Sequence, residues 1–104
     1  MVLGHLMSAF IGVTLQKVMS HHLELAASLA VATAMAAMLL TNTVHPPAGA
    51  TGMTFVLGGK ELHAIGYRYL LTPTLVSIAI MLFVALTVNN LSADEDHQYP
   101  VAWW

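Results

Sequence analysis

An apolar run of about 20 residues, from Leu23 to Thr43, ends abruptly at His45-Pro46-Pro47, and this ending constrains the chain more than any other feature. A helix of that length reaches across a hydrocarbon core roughly 30 Å thick. Pro46 and Pro47 lack an amide hydrogen and push the preceding residue out of helical geometry, so the incoming helix cannot continue. His45 sets a titratable, hydrogen-bonding side chain at the break, and the small residues Ala48, Gly49 and Ala50 leave backbone amides accessible. Membrane helices broken in this way are a common means of building an ion site.

The composition agrees with a membrane setting. Of 104 residues, 58% are hydrophobic and 8% charged, whereas soluble domains carry roughly 25% charged residues. The apolar runs lack strand-like alternation, which excludes a membrane β-barrel pattern and predicts an all-α membrane protein. A formal net charge of -2 and three scattered basic residues, Lys17, Lys60 and Arg68, set nucleic acid aside as a partner. There is no cysteine, hence no disulfide and no thiolate metal site. The first residues show neither a basic region nor a small-residue cleavage site of signal-peptide type.

Three apolar segments predict about three transmembrane helices. The first runs from about Val2 to Met19, interrupted by Gln16 and Lys17, and ~18 residues reach ~27 Å. Gly4, Ser8 and Gly12 recur along one of its faces, a seam on which a second backbone can approach closely, with His5 at its edge. The second, Leu23 to Thr43, carries Ala26, Ala30 and Ala34 on one stripe and Ala32 and Ala36 on another. The third, about Tyr69 to Val88, starts near Pro73, stops at Asn89-Asn90 and reads as an outer, lipid-facing helix. Between the last two, Pro47 to Leu57 is apolar but only long enough for ~16 Å of helix, half a bilayer. It reads as a re-entrant half-helix or as a helix lying flat at the interface. The half-helix is preferred, because Met53 to Leu57 offers no polar face to water.

Gly58-Gly59 ends this half-helix, and Gly59 to Arg68 is expected to be an aqueous loop. With three spans, the loop bearing Lys60 and Arg68 lies opposite Lys17 and the acidic tail. The transmembrane domain is placed at residues 1–91 and a polar and aromatic tail at 92–104, with Asp94-Glu95-Asp96 solvated and Tyr99, Trp103 and Trp104 at a headgroup interface.

At these residues the chain resembles the HPP family of integral membrane proteins, named for the motif that stands here as His45-Pro46-Pro47. The resemblance extends through Thr43 to Thr51, Gly4-His5-Leu6, Ser8-Ala9, Gly12-Val13, Met38-Leu39-Leu40, Asn89-Asn90-Leu91, Tyr99-Pro100 and Trp103. It implies a transporter of nitrite or another small inorganic anion, in a bacterial inner (cytoplasmic) membrane in preference to a plastid envelope. Members of the family typically have four transmembrane helices. A first helix and a Pro-x-Arg-Asn-like segment would be expected ahead of Gly4-His5, so the chain is read as N-terminally shortened.

The candidate substrate-binding residues are His45, Pro46, Pro47, Ala48, Gly49, Ala50, Thr51, Asn42, Thr43 and His5. Amides of Ala48, Gly49 and Ala50 at a positive helix end would face the anion, His45, Thr43, Asn42 and Thr51 would add donors, and a protonated His45 would add charge. A structural role stands beside this one: the prolines end segment two while His45 and Asn42 satisfy its free carbonyls. His5 is likewise either a functional ionisable group within the membrane or an interhelical hydrogen-bonding residue. His21 and His22, adjacent on a helix, point about 100° apart and are set aside as a metal site. His63 and His97 are expected to be solvated, and the methionines to serve packing. No catalytic constellation and no cofactor motif is found, so no enzyme is expected. A small oligomer-forming transporter, a homo-oligomer in the lipid bilayer, is expected, the alternative being a non-transporting structural or regulatory subunit of a membrane complex.

Overall fold

Small residues at four-residue spacing decide how the first helices meet. The computed structural model describes residues 1–91, and among these every regular element is helical. They are α1 (Val2–Val18), α2 (Leu23–Leu40), α3 (Pro46–Leu57), α4 (Lys60–Ile65), a tight 3₁₀ turn over Gly66–Leu70, a kinked segment Leu71–Leu75, and α5 (Val76–Leu91). The acidic run and the aromatic residues of the tail lie outside the described residues.

The glycine seam of α1 receives α3. A Cβ on Gly12 would fall on the backbone of Gly52, and one on Gly4 would press on Met38, the Thr43 carbonyl and Ala48. Because Gly4 meets Ala48 while Gly12 meets Gly52, α3 runs parallel to α1. Ser8, between the two glycines and fully buried, accepts a hydrogen bond from the Gly52 amide at 3.0 Å and donates to the Gly49 carbonyl at 3.4 Å. Ala26, Ala30 and Ala34 of α2 are also fully buried, packed with Val56 and Ala48 of α3. Ala32 and Ala36, expected to form a second packing stripe, face outward.

α3 is the Pro-initiated half-helix that the sequence predicts, 12 residues long. It lies along α1 and α2 and not flat at an interface, its Phe55 and Val56 fully buried. Its start needs no cap, since Pro46 and Pro47 occupy the positions whose amides have no partner in the helix. α2 (18 residues) and the run Lys60–Leu91 (32 residues) are long and apolar enough to cross a membrane; α1, with 17 residues, is apolar but shorter, so the count of three spans is approximate.

Further expectations need correction. Segment two ends as a helix at Leu40, not Thr43, because Thr41 Oγ1 donates to the Ala37 carbonyl at 2.8 Å and Asn42 adopts a left-handed φ of 55°. The stretch Gly59 to Arg68 is ordered as α4 and the 3₁₀ turn, where a loop was expected. His63, expected to be solvated, donates from Nε2 to the Val56 carbonyl at 2.8 Å and packs against Phe55. Asn89 and Asn90 do not stop the last helix, which includes both.

α3 also changes which end of the bundle holds the basic residues. By rising along α1 it returns the chain to the end where Lys17 stands, so Lys17 Nζ lies 5.6 Å from the ring centre of Tyr67 and Thr14 bonds the Tyr67 hydroxyl at 3.0 Å. Lys17, Lys60 and Arg68 therefore share one end, and His5 and His45 lie at the other. From the basic end the chain passes Thr72, extended (φ -132°, ψ 117°) ahead of Pro73, and descends as α5. Only Ile78 of α5 is buried, and Ile80, Phe83, Val84 and Val88 face outward, as expected of an outer helix.

Candidate functional site

The His-Pro-Pro end of the bundle is assembled from the first turn of α1, the turn after α2 and the start of α3. Gly4 lets the turn approach α1, since a Cβ there would stand 3.2 Å from the Thr43 carbonyl. That approach brings the imidazoles of His5 and His45 together, with ring centres 5.1 Å apart and planes inclined by 51°.

The two rings differ in what they can do. His5 is 8% exposed, and its Nδ1 lies 2.9 Å from the Met1 carbonyl. A carbonyl only accepts, so Nδ1 carries the proton and Nε2 of the neutral ring is left with its lone pair. His45 Nε2 is buried and has no hydrogen-bond partner. Burial first, and then the neighbouring His5, hold the His45 pKa below the ordinary value of 6.5.

The turn itself is self-satisfied. Thr41 donates to the Ala37 carbonyl and its hydroxyl meets that of buried Thr43 at 2.7 Å, while the Thr43 amide bonds the Met38 carbonyl at 2.9 Å. Thr41, not His45 or Asn42, thus supplies the side chain that closes α2, and Asn42 is exposed. Helix α3 offers no ring of free amides. Pro46 and Pro47 have none, the Ala48 amide bonds the His45 carbonyl at 2.8 Å, and Gly49 and Ala50 are far enough into the helix for their amides to join its ladder. Donors for an anion at this end must come from side chains.

Side-chain hydroxyls gather in a cleft of about 230 Å³ between α3 and the start of α5, those of Thr54 and Tyr69 already donating to the Ala50 and Thr51 carbonyls. His5, Thr51, Thr54, Tyr69, Thr74 and Ser77 line it, with Pro47 and Ala50 on the α3 wall. Of the residues picked out from sequence, His5, Pro47, Ala50 and Thr51 thus share this cleft, His45 joins it through the His5 ring, and Pro46 and Asn42 face away into the open.

The family model for the HPP transmembrane region matches residues 1–100. The chain belongs to the HPP transmembrane family. This HPP domain is similar to two transmembrane proteins of Dictyostelium discoideum, at 34% and 35% identity over 107 residues, matches that cover all of the chain. It spans 36% and 33% of their lengths, about a third of each. No solved structure matches it. Family and apolar helices together make the HPP domain an integral membrane protein.

Sequence reasoning missed Thr54, Tyr69, Thr74 and Ser77 of the HPP domain's cleft. A signal was present: Pro47, Ala50, Thr51 and Thr54 follow helical i, i+3, i+4, i+7 spacing, as do Thr74, Ser77, Ile78 and Met81. Two such stripes, each mixing hydroxyls with apolar residues, are what two helices facing one cleft would carry.

Proposed function

We propose that this domain passes a small monovalent anion, nitrite foremost, across the bilayer, and that His5 and His45 together form its basic group. The observation that carries this reading is the contact of two imidazoles, one nearly buried and the other with an unpartnered buried nitrogen, at the end of the bundle away from Glu24 and Glu61. A proton taken up by this pair finds no carboxylate to balance it among the described residues nearby. An anion supplies that balance, so proton and anion bind more favourably together than either alone. Two rings this close hold one proton more readily than two, which sets the charge of the loaded site to that of a single monovalent ion. Nitrite in particular, and a bacterial inner membrane in preference to a plastid envelope, rest on the family resemblance; the relatives matched are from an amoeba.

The unburied apolar face of α5 supports assembly of several copies around the path, and equally supports a second reading in which the domain is a non-transporting subunit of a membrane complex. Neither reading gives the domain an enzymatic role. Nitrite uptake into proteoliposomes, with wild type, His45→Ala and protein-free vesicles across a pH gradient of either sign, separates them. Saturable uptake that is driven by an inward proton gradient and lost in folded His45→Ala is expected. Equal uptake by His45→Ala would remove the pair from the mechanism, and no uptake by inserted wild type would favour the subunit.

A further inference from the structure

Two buried side-chain polar atoms among the described residues lack a hydrogen-bond partner, His45 Nε2 and Thr74 Oγ1. Thr74 lines the cleft between α3 and α5 together with His5, and His45 touches the His5 ring. Thr74 is 5% exposed and its hydroxyl lies beside that of Tyr69 without a well-formed hydrogen bond, so a further partner in the cleft would complete it. The kink places it: Pro73 holds Thr72 extended, α5 restarts beyond, and Thr74 and Ser77, three residues apart, come to one face.

We infer that this cleft is the anion's binding site and that the Thr74 hydroxyl, which lines it together with His5, is the donor that selects a small, weakly hydrated monovalent anion. This rests on the transport reading above. The lining includes no carboxylate, and its one ionisable nitrogen-bearing side chain is the imidazole of His5, so the cleft favours negative charge over positive. At about 230 Å³ it has room for several water molecules, enough for a small ion with part of its hydration. Pro47, Pro73, Ile78 and Met81 line the same cleft and return nothing for lost water, which weighs against a strongly hydrated divalent anion such as sulfate.

The test compares wild type with Thr74→Val, which has the same shape and no hydroxyl, and Thr74→Ser, which keeps the donor. Thermal unfolding of each is followed in detergent with nitrite, chloride or sulfate, and nitrite KM is measured in proteoliposomes. Nitrite is expected to raise the unfolding midpoint of wild type and Thr74→Ser but not of Thr74→Val, with sulfate ineffective, and Thr74→Val to raise KM by about tenfold or more at similar insertion. Equal stabilisation of Thr74→Val and wild type, equal stabilisation by sulfate, or none by any anion, would overturn the assignment. Stabilisation that depends on the hydroxyl, without uptake by wild type, would uphold the cleft and overturn transport alone.

Discussion

Ser8 and Gly52 join α1 to α3 through a buried hydrogen bond of 3.0 Å in which the glycine amide donates to the serine hydroxyl. The bond forms because neither partner's surroundings hold the helices apart: Gly12, one turn along, lies against the Gly52 backbone. Ser8→Ala leaves the space filled but removes an additional acceptor for an amide that also belongs to the α3 ladder, together with the donor to the Gly49 carbonyl, a loss of about 0.5–1.5 kcal/mol. The midpoint of thermal unfolding in detergent should fall accordingly, and Ser8→Thr, larger at the same seam, should not restore it.

Steric tolerance along this seam should differ sharply between neighbouring glycines. Gly52→Ala drives a Cβ into the Ser8 carbonyl, which is backbone and cannot yield, whereas a Cβ on Gly49 meets the Met35 sulfur at 3.2 Å, the end of a flexible side chain. Gly52→Ala should lower stability by about 1–3 kcal/mol or prevent folding, and Gly49→Ala by a fraction of that. Parallel expression and unfolding measurements on the two variants check the difference, and equal behaviour would place the α1–α3 contact elsewhere.

His63 closes the far end of the half-helix. Its Nε2 donates to Val56, one of the last carbonyls of α3, and its ring packs on Phe55 at 5.5 Å between centres. His63→Phe should keep the packing and lose the bond, at a cost of about 1 kcal/mol. Faster amide exchange confined to α4 and the last turn of α3, with the rest of the bundle unchanged, is the expected signature.

Stability should depend on pH through His45. A histidine held below its ordinary 6.5 stays neutral in the fold where the unfolded chain already takes a proton. Its contribution is therefore full above pH 6.5 and declines as pH falls from there through the lowered folded value. Unfolding midpoints measured across that window should drop for wild type and flatten for His45→Gln. A wild-type curve that rises on acidification would show that the fold stabilises the protonated ring.

What could be read in advance follows from which signals are local. The Gly4, Ser8, Gly12 seam and the Ala26, Ala30, Ala34 stripe are periodic along one helix, so the sequence displays them directly. The sequence reads Gly49 as accessible backbone and leaves Gly52 without a role, because Pro46 to Leu57 is too uniformly apolar to show a face. His63 was misplaced because its environment comes from Phe55 and Val56 on the preceding helix, and Thr74 because a helix that looks lipid-facing turns one stripe inward below a proline kink. The His45 position was legible from the prolines; its ring contact with His5, forty residues earlier in the chain, required the approach of the turn after α2 to α1 at Gly4.

That return also fixes an orientation. Lys17, Lys60 and Arg68 are the chain's three basic residues, and α3 carries the last two back to the end where the first stands. Basic residues collect on the cytoplasmic side of membrane proteins, so that end should be cytoplasmic and the His-Pro-Pro end should face the opposite compartment. The absence of native cysteine makes the test direct. Single variants Val18→Cys, Glu61→Cys and Asn42→Cys, at three exposed positions, can be labelled with a membrane-impermeant maleimide in right-side-out and inverted vesicles. Val18→Cys and Glu61→Cys should react together in inverted vesicles and Asn42→Cys in right-side-out ones. Labelling of Glu61→Cys from the same side as Asn42→Cys would mean that α3 turns back before reaching the far end, and would undo both the shared basic end and the orientation drawn from it.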